Sequence, residues 1–524
     1  MNHIKQRHFA GILSCIGYGL LCGTVTGAVI FLFKLAAKQA EHLSRQLYGL
    51  ARLSPLFILL IFALLFAFGA AMVYLHKKVP EAKGGGIPRS EGVLRGILTF
   101  RWLPTLLATV GGSLLSYLGG LPLGTEGPAV LIGTSLGKMC SGKAGARSRY
   151  VMTGGAGAGF AVATGAPLSG ILFAMEEIHK RVTPLLLLTV SVSVLSATYL
   201  NRLLCSAFSL SPNMLHLPSL SGFEMNHVGW LLGMGILTAL AVALFDRSIA
   251  LVRAFAQKHQ KHLTPKVKIF AVFALTGILG LFLADGIYSG HDVILEAVEN
   301  HFGLGLLFLL FAVRLVMMLM VTDSGTTGGI FIPTLAIGAL AGAIIAKLFV
   351  MCGMEPQLYA SVVLLSMCAF IGGTLRAPLT AAVLFVELTG QFVDVFYGAV
   401  VIFTVNCITE LLNQEPFYDI ALGRMVHTQN EGRTPVICHF EAKVSPNAFA
   451  VGKPARNLMW PACTIILSIT RAESDLEDMD RDGEKTLRAG DRLVIRARCY
   501  DVAEVKQQLT DLLGKDSPIR EISE

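Results

Sequence analysis

The feature that most limits the possible folds of this sequence is a series of long apolar segments. A helix needs about 20 apolar residues to cross the hydrocarbon core of a bilayer, and these segments repeatedly reach or exceed that length. They lie at about residues 9–37, 54–76, 102–119, 150–176, 183–207, 228–252, 269–287, 304–322, 330–350 and 358–412. Of the 524 residues, 53% are hydrophobic and only 15% are charged, an apolar excess that a soluble core of this size does not require. The sequence therefore predicts an integral membrane protein whose residues from Phe9 to about Leu412 are associated with the bilayer.

The first apolar segment follows a basic start, MNHIKQRH, as the apolar part of a secretory signal would. It stays apolar well beyond the 7–15 residues typical of such a signal, and no cleavage-like site ends it. We therefore expect a retained helix with a cytoplasmic N-terminus. The net charge of +8, without an aromatic-interleaved basic stripe, fits loops that face anionic lipid and does not indicate binding to nucleic acid.

Two pairs of similar blocks indicate that the apolar region contains an internal duplication. The block GTEGPAVLIGTSLG (124–137) matches GIFIPTLAIGALAG (329–342) at a constant offset of 205 residues, with Pro128 over Pro333. The second pair follows in the same order, and such ordered repeats are typical of transporter folds.

The second pair consists of APLSGILFAMEE (166–177) and APLTAAVLFVEL (377–388), at an offset of 211 residues. This alignment places Glu176 over Glu387. We expect these two glutamates to be structural partners of backbone or basic groups, with Arg376 as a candidate partner of Glu387.

The first blocks combine glycine and proline inside an apolar region. Proline is favoured in the first turn of a helix, so each block predicts a helix that begins part-way across the membrane. The start of such a helix presents unpaired N–H groups and the positive end of the helix dipole, which attract an anion. The stretch KGGGIPRSEG (83–92) has the same pattern. Three such starts predict an anion site at mid-membrane, although each one alone would also fit a kink in an ordinary packed helix.

One of these helix starts carries a carboxylate, Glu126. Placing an ionised carboxylate inside a bilayer costs on the order of 3 kcal/mol on insertion scales, so a chain keeps one where it is paired, hydrated or used. The alternative is a helix cap, a role that serine or asparagine would also fill.

The ordered motifs GGGIP (84–88), GTEGP (124–128) and GIFIP (329–333), with APLSGILFAMEE between the last two, resemble the anion-pathway signatures of the CLC family of chloride channels and proton-coupled chloride transporters. The resemblance covers about residues 10–425. It implies an all-α polytopic membrane protein of two inverted repeats with partial-span helices. It also implies a homodimer in which each subunit has its own anion pore.

The resemblance assigns gating and proton transfer to Glu126 and Glu177. Glu126 matches the gating glutamate, which occupies the anion site when ionised and carries a proton when it swings away. Glu177 matches the inner glutamate that exchanges protons with the cytosol in family transporters and is usually lacking in the passive channels. The alternative for Glu177 is a carboxylate at a helix end that reaches cytoplasmic water beside Glu176.

The anion-binding residues implied by the resemblance are Gly85, Gly86, Ile87, Phe331, Ile332 and Tyr418. The Tyr418 hydroxyl, in EPFYDIAL, would donate to the central chloride, and Phe331 and Ile332 would supply backbone N–H groups. The alternative for Tyr418 is an aromatic residue at the membrane interface.

Two positions depart from the family pattern. Gly85 stands where chloride-selective members generally carry serine, and proline at that position goes with nitrate preference. A fluoride-exporting branch also deviates there, but it lacks the tyrosine that is present here as Tyr418. The anion selectivity therefore stays open. Thr125 replaces the usual arginine of its motif, while the neighbouring Glu126 is intact.

The composition changes from about Thr428, and RAESDLEDMDRDGEKTLRAGDR (471–492) is highly charged. The segments CTIILSIT (463–470) and RLVIRAR (492–498) predict short strands. The segment DVAEVKQQLTDLL (501–513) predicts an amphipathic helix, with Asp501 and Glu504 at capping-box spacing. These patterns predict a small soluble α+β domain.

This domain resembles the C-terminal regulatory module of potassium-uptake regulators in AVGKPARNL (450–458) and LRAGDRLVI (487–495). The resemblance implies a cytoplasmic module that senses an ion or small ligand; a packing or dimerisation appendage is the alternative. The predicted division is a membrane transport domain with two halves, a regulatory domain and a tail, at residues 1–425 (halves about 10–207 and 228–425), 428–514 and 515–524.

We expect a proton-coupled chloride antiporter of the cell membrane, without enzyme activity or a cofactor beyond the transported chloride and protons. The ten cysteines are scattered singly and show no metal-site spacing, so no metal is expected. The alternatives are a passive voltage- or pH-gated chloride channel, which Glu177 disfavours, and an exchanger with altered anion preference. A regulatory protein that is merely anchored in the membrane would leave the repeated motifs unexplained.

Overall fold

The computed structural model describes residues 2–142, 145–212, 215, 220–259, 262–390, 395–471, 477–478 and 483–522. Its helices are α1 (Asn2–Ala51), α2 (Pro55–Lys78), α3 (Ile87–Leu94), α4 (Trp102–Leu118), α5 (Glu126–Ser141), α6 (Ser148–Thr164), α7 (Pro167–Phe173), α8 (Pro184–Ala207), α9 (Val228–Lys258), α10 (Pro265–Phe282), α11 (His291–Val298), α12 (Leu304–Ser324), α13 (Phe331–Met351), α14 (Tyr359–Leu375), α15 (Pro378–Thr389), α16 (Val395–Leu411), α17 (Phe417–Gln429) and α18 (Val502–Leu513). The strands are β1 (Val436–Lys443), β2 (Thr464–Thr470), β3 (Glu477–Asp478), β4 (Arg492–Cys499) and β5 (Ile519–Ile522).

The described part of the chain contains eight helices that are long and apolar enough to cross a membrane, and it also contains shorter apolar helices. The chain is a multi-pass integral membrane protein, as predicted. Two predicted segments are divided in the structure: 150–176 contains α6 and α7, and 358–412 contains α14, α15 and α16.

Both divisions occur at equivalent places in the repeat. Each follows a residue with positive φ, Gly165 at 75° and Arg376 at 60°, which ends the preceding helix in the left-handed conformation. Pro167 and Pro378 then begin the next helices, because proline suits a first helical position but cannot continue the helix before it.

The two halves meet through equivalent residues. Gly124 and Gly329, which the offset of 205 aligns, form an isolated antiparallel bridge. The Gly124 N–H donates to the Gly329 carbonyl at 2.6 Å, and the Gly329 N–H donates to the Gly124 carbonyl at 2.8 Å. Reciprocal contacts between equivalent groups are those of a twofold axis. Because the pairing is antiparallel, the two equivalent segments run in opposite directions where they meet.

The aligned glutamates confirm this symmetry. Glu387 accepts hydrogen bonds from the N–H groups of Leu168 and Ser169 at the start of α7, both at 2.8 Å. Glu176 accepts from the N–H groups of Leu379 and Thr380 at the start of α15, at 3.0 and 2.7 Å. Each half therefore caps a helix of the other half, and the expectation of backbone partners is confirmed.

The expectation that Arg376 pairs with Glu387 is wrong. The Arg376 guanidinium bonds to Glu410 at 3.0 Å and to the carbonyls of Thr409 and Gln414 at 2.6 and 2.9 Å. Those carbonyls lie at and just beyond the C-terminus of α16, where unpaired acceptors and the negative end of the helix dipole attract a cation.

The C-terminal domain contains an antiparallel sheet in the order β3-β2-β4-β1-β5 with α18 packed against it. The predicted strands appear as β2 and β4, and the predicted helix appears as α18. Asp501 caps α18 by accepting from the N–H groups of Ala503 and Glu504 at 2.9 and 3.2 Å. Glu504 accepts from Gln508 at 3.2 Å.

The sheet also corrects the predicted tail at 515–524. Within it, β5 pairs with β1, from Ala442 opposite Ile519 to His439 opposite Ile522. The sequence IREI is too short and polar to show the alternation of a strand, and β1 supplies the hydrogen bonds that hold it at the sheet edge. Residues 472–476 and 479–482 of the charged stretch lie outside the described residues.

Candidate anion pathway

The three predicted helix starts come together. A Cβ atom on Gly127, at the start of α5, would meet the carbonyl oxygen of Gly85 before α3 and would lie 2.9 Å from the Cα of Gly329 before α13. A Cβ on Gly329 would lie 2.7 Å from the Gly127 nitrogen. Glycine is required where backbones approach this closely. The convergence that the repeated motifs predict is therefore present.

Hydrogen bonds hold the segments that lead into these helices. The Gly84 N–H donates to the Gly325 carbonyl at 3.0 Å, which ties the approach of α3 to the second half. The Tyr117 hydroxyl donates to the Gly124 carbonyl at 2.7 Å, and the Thr327 hydroxyl donates to the Ala82 carbonyl at 2.8 Å. The helix starts are thus positioned by one hydrogen bond within the first half and by two between the halves.

Two of the three helices are too short to cross a membrane. With a rise of 1.5 Å per residue, α3 is about 12 Å long and α5 about 24 Å, compared with a hydrocarbon core of about 30 Å. Their first residues are buried, with Ile87 and Glu126 both at 0% exposure. Phe331 and Ile332 at the start of α13 are equally enclosed, at 1% and 0%. The N–H groups of these first turns have no intrahelical acceptor and are available to an anion.

Gly86 shapes the start of α3. It is the N-cap residue and has a φ of 84°, a conformation that favours glycine. The turn places Gly85 and Gly86 directly before the buried Ile87. The three residues of this motif that are predicted to bind the anion through their backbone therefore lie together at the start of α3.

Glu126 is the first residue of α5 and is fully buried. Its Oε1 accepts a hydrogen bond from the Thr125 hydroxyl at 3.1 Å, whereas its Oε2 has no donor among the described residues. Lys34 on α1 and His291 on α11 lie within electrostatic range of the carboxylate. A buried carboxylate oxygen without a donor is rare in a purely structural site.

Glu177 lies in a six-residue π-helix, Ala174–His179, which follows α7. Such segments are frequent at functional sites because the wider turn redirects neighbouring side chains. Here Glu176 caps α15, while Glu177 is buried at 1% exposure and its Oε1 has no donor in the described part of the chain. Glu177 is therefore not the water-exposed carboxylate that the alternative describes.

Tyr418 is the second residue of α17 and has 0% exposure, which excludes an interfacial position. No described residue forms a hydrogen bond with its hydroxyl. The hydroxyl lies within electrostatic range of both Glu177 and Glu126. The structure thus groups the predicted tyrosine with both predicted glutamates.

A further charged cluster was missed in the sequence. Glu91 on α3 has 0% exposure and lies within electrostatic range of Glu177. Arg95 and Lys180 approach its Oε1 at 2.7 and 3.5 Å, and Lys180 also pairs with Asp419 at 2.5 Å. The sequence could have indicated the Glu91–Arg95 pair, because the two residues are four positions apart on one helix. Lys180 and Asp419 follow Glu177 and Tyr418 closely in the sequence, but no local pattern joins them.

The described residues contain no group of three or more histidine, cysteine, aspartate or glutamate side chains that could hold a metal ion. What the site offers is a set of helix starts, a tyrosine hydroxyl and two buried carboxylates. That chemistry suits an anion and a proton.

The sequence pattern of the voltage gated chloride channel family matches residues 68–410, more than half of the chain. The chain belongs to this family, the CLC family. Over 422 residues it is 28% identical to the H(+)/Cl(-) exchange transporter ClcA of Citrobacter koseri, covering 78% of this chain and 88% of that protein. It is 29% identical over 424 residues to the ClcA of Salmonella arizonae, again covering 78% and 88%.

Solved CLC structures share the fold. The chain is similar to a slow cyanobacterial Cl-/H+ antiporter, with a TM-score of 0.74 and 28% identity over 80% of this chain and 99% of that one. It resembles a CLC-type fluoride/proton antiporter with a TM-score of 0.62 and 18% identity over 76% of this chain and 96% of that one, which supports the fold alone. The family match ends at residue 410, before Tyr418 and the C-terminal domain.

Proposed function

We propose that this CLC protein is a proton-coupled chloride antiporter. The observation that carries the proposal is that two buried carboxylates, Glu126 and Glu177, each have an oxygen without a hydrogen-bond donor among the described residues and lie within electrostatic range of Tyr418. Relatives named as H(+)/Cl(-) exchange transporters, and a related structure of a Cl-/H+ antiporter, support it.

In this proposal, the N–H groups that begin α3 and α13 and the Tyr418 hydroxyl donate to chloride. Glu126 begins the third converging helix and, when ionised, competes with chloride for the same donors. Protonation removes its charge, and the side chain then releases the site and carries the proton. Glu177 exchanges protons with the inner side of the membrane. One carboxylate thus couples the two fluxes.

The alternative is an exchanger that prefers an anion other than chloride, and the presence of glycine at position 85 favours it. Gly85 lies at a helix start of the site and has no hydroxyl that could donate to the ion. Selection among chloride, nitrate and fluoride would then depend on backbone groups and on Tyr418.

We also propose a homodimer in the cell membrane, as the CLC resemblance implies, with one pathway in each subunit. The N-terminus and the C-terminal domain are assigned to the cytoplasm. Cys15 on α1 lies within electrostatic range of Lys453, which supports placing both on the same side. The proposed division is a transport domain at 1–425 and a C-terminal module from 428, with the module as the candidate site for an ion or small ligand.

Flux measurements in liposomes test the exchange. We expect the purified protein to move protons uphill when the vesicles carry a chloride gradient, as a pH electrode would record. Chloride flux without any pH change would instead indicate a passive channel. Repeating the measurement with nitrate and fluoride gradients determines the anion preference.

Variants of the two glutamates test their roles. We expect Glu126→Gln to uncouple protons from anions while anions still pass, because the amide neither titrates nor carries the charge that competes with chloride. Glu177→Gln is expected to suppress proton movement while chloride flux continues. Glu431→Gln, a change of an exposed carboxylate after α17, is the matched control and should behave as the wild type. Normal proton pumping by both site variants would overturn the assignments.

A further inference from the structure

The C-terminal domain is held against the transport helices by a half-buried arginine and a buried tyrosine of α6. Arg149 donates to the carbonyl of Trp460 at 3.2 Å and to the side chain of Gln508 on α18. The Tyr150 hydroxyl donates to the carbonyl of Asn457 at 3.2 Å. These bonds join the loop before β2, and α18, to the transport domain.

A cavity of about 760 Å³ lies between the two parts. Its volume is within the range of about 300–1,000 Å³ that is usual for small-molecule sites. Six of its lining residues are arginine or lysine, and we name it the basic cleft after them: Arg95, Arg149, Lys180, Arg181, Arg496 and Arg498. No aspartate or glutamate is among the described residues that line it.

Part of this charge is balanced within the protein. Arg95 and Lys180 pair with Glu91 and Asp419, which lie beside the cleft. Arg149 donates to neutral acceptors, and the carboxylates of Glu504 and Asp511 on α18 lie within electrostatic range of it.

The other three of the six cations have no ion-pair partner among the described residues. Arg181, Arg496 and Arg498 are exposed to the cleft, and none forms an ion pair with a carboxylate in the described ranges of the chain. Arg496 and Arg498 are two residues apart on β4, so their side chains leave the same face of the strand about 7 Å apart. Arg181 follows the π-helix and approaches from the transport domain. Cations from both parts thus face one space.

We propose that the basic cleft binds a polyanion that carries phosphate groups and contacts both the transport domain and the C-terminal domain. Like charges enclosed together repel one another, and an anionic ligand removes this cost. The guanidinium fork matches phosphate oxygens in a bidentate geometry, and several arginines on opposite walls fit several phosphates. A single chloride would neutralise only one of the three unpaired cations.

The phosphate groups have two possible sources, a soluble polyphosphate and the headgroup of an anionic lipid. Both present the same chemistry to the arginines. The cleft lies between membrane helices and a soluble domain, so either can reach it.

Binding in the basic cleft can be measured by the fluorescence of Trp460, because this residue lines the cleft and the chain has three tryptophans in all. We expect sodium tripolyphosphate, added to the full-length protein in neutral detergent, to change the tryptophan emission in a saturable way. Sodium chloride at matched ionic strength should not produce this change. The change should disappear in Trp460→Phe, with size-exclusion chromatography used to confirm that this variant is folded.

Arginine variants test both walls of the cleft. We expect R496Q/R498Q and, separately, Arg181→Gln to weaken tripolyphosphate binding about tenfold or more. Arg492→Gln is the matched control, because Arg492 is an exposed arginine on the same strand but does not line the cleft. A loss in R496Q/R498Q with normal binding in Arg181→Gln would place the site on the C-terminal domain alone and overturn the proposal.

Lipid vesicles distinguish the two sources. If a lipid headgroup fills the cleft, vesicles that contain phosphatidylglycerol will shift the Trp460 emission relative to phosphatidylcholine vesicles and will weaken tripolyphosphate binding. If the ligand is soluble, tripolyphosphate will bind equally in both. The absence of a saturable response to either probe, or an equal response in all the arginine variants, would overturn the proposal. Binding is measured without transport, so the result is independent of the exchange proposed above.

Discussion

At the scale of single residues, the neighbouring glycines Gly85 and Gly86 before α3 differ in whether a side chain could be accommodated. A Cβ on Gly85 would lie 3.6 Å from the Gly328 carbonyl oxygen and 3.7 Å from a carbon of Ile330, which are ordinary contacts. A Cβ on Gly86 would meet the Gly127 carbonyl oxygen, and the φ of Gly86 is 84°. One position therefore accepts a side chain, and the next does not.

We predict that Gly85→Ser folds normally and shifts the anion preference towards chloride over nitrate, because it adds a hydroxyl at the site without a steric clash. Thermal unfolding in detergent should place it within about 1 kcal/mol of the wild type. Reversal potentials or vesicle uptake with the two anions measure the preference. An unchanged ratio would show that the residue 85 side chain does not reach the ion.

Gly86→Ala is the matched comparison. It should lose at least about 2 kcal/mol of stability, because alanine is strained at this φ and its Cβ collides with backbone that cannot move freely. Normal expression and unfolding of this variant would contradict the close approach of α3 and α5.

At the scale of elements, the reciprocal caps explain why α7 and α15 are stable although they are short, with 7 and 12 residues. Each begins with a turn whose N–H groups are bonded by a carboxylate of the other half, Glu387 for α7 and Glu176 for α15. The hydroxyls of Ser169 and Thr380 add a third bond at 2.7 Å in each case. A negative group at a helix start is also favoured by the helix dipole.

We predict that Glu387→Ala and Glu176→Ala each destabilise the protein by about 1–3 kcal/mol, because each leaves two N–H groups of a helix start without a protein acceptor, one of them part-buried. The double variant should show nearly the sum of the two losses, since the caps do not share partners. Thermal or denaturant unfolding in detergent measures these changes, with Glu431→Ala as the exposed control. If both variants unfold at the wild-type midpoint, the caps do not stabilise the junction.

At the scale of the whole molecule, the contact between the C-terminal domain and the transport domain includes a half-buried lysine. The Lys453 Nζ lies 3.7 Å from the centre of the Phe449 ring, and that ring packs against Tyr150 of α6 at 5.8 Å. Burial, with the nearby charge of Arg147, lowers the pKa of Lys453 from its ordinary value of 10.5 to about 8. The charged form is therefore disfavoured in the folded protein.

The lowered pKa of Lys453 predicts that the folding stability depends on pH. Between about pH 8 and 10.5 the unfolded chain holds a proton on Lys453 that the folded chain does not, so this group makes stability rise with pH across that window. Below about pH 8 both states are protonated and the full penalty is present. We expect Lys453→Met to lack this rise, so that its stability relative to the wild type falls as the pH increases from 8 to 10.5.

Thermal midpoints of the wild type and Lys453→Met at pH 7.5, 9 and 10.5 measure this difference. Lys506→Met, at an exposed position on α18, is the control for removing a lysine from the same domain. A difference between Lys453→Met and the wild type that stays constant with pH would rule out the depressed pKa.

The sequence alone was sufficient to predict that the chain is a membrane protein, that it contains a duplication, where the three helix starts lie, and the strands β2 and β4. These are local properties: apolar length, glycine and proline positions and alternation are all visible within a short segment. The duplication was also visible because equivalent motifs recur in the same order. The aligned pair Gly124 and Gly329 turned out to be direct neighbours for the same reason, since a twofold axis brings equivalent residues together.

Other features depend on partners that are distant in the sequence. The strand β5 is positioned by its pairing with β1, and the Arg376 side chain is directed by carbonyls at and just beyond the C-terminus of α16. Glu176 and Glu177 are adjacent in the chain, yet Glu176 caps a helix of the other half and Glu177 is buried within electrostatic range of Tyr418. The sequence by itself determined which groups the protein has for an anion and a proton. Only the tertiary structure decided which of them meet, because backbone approaches and enclosed charges are set by the packing of one half against the other.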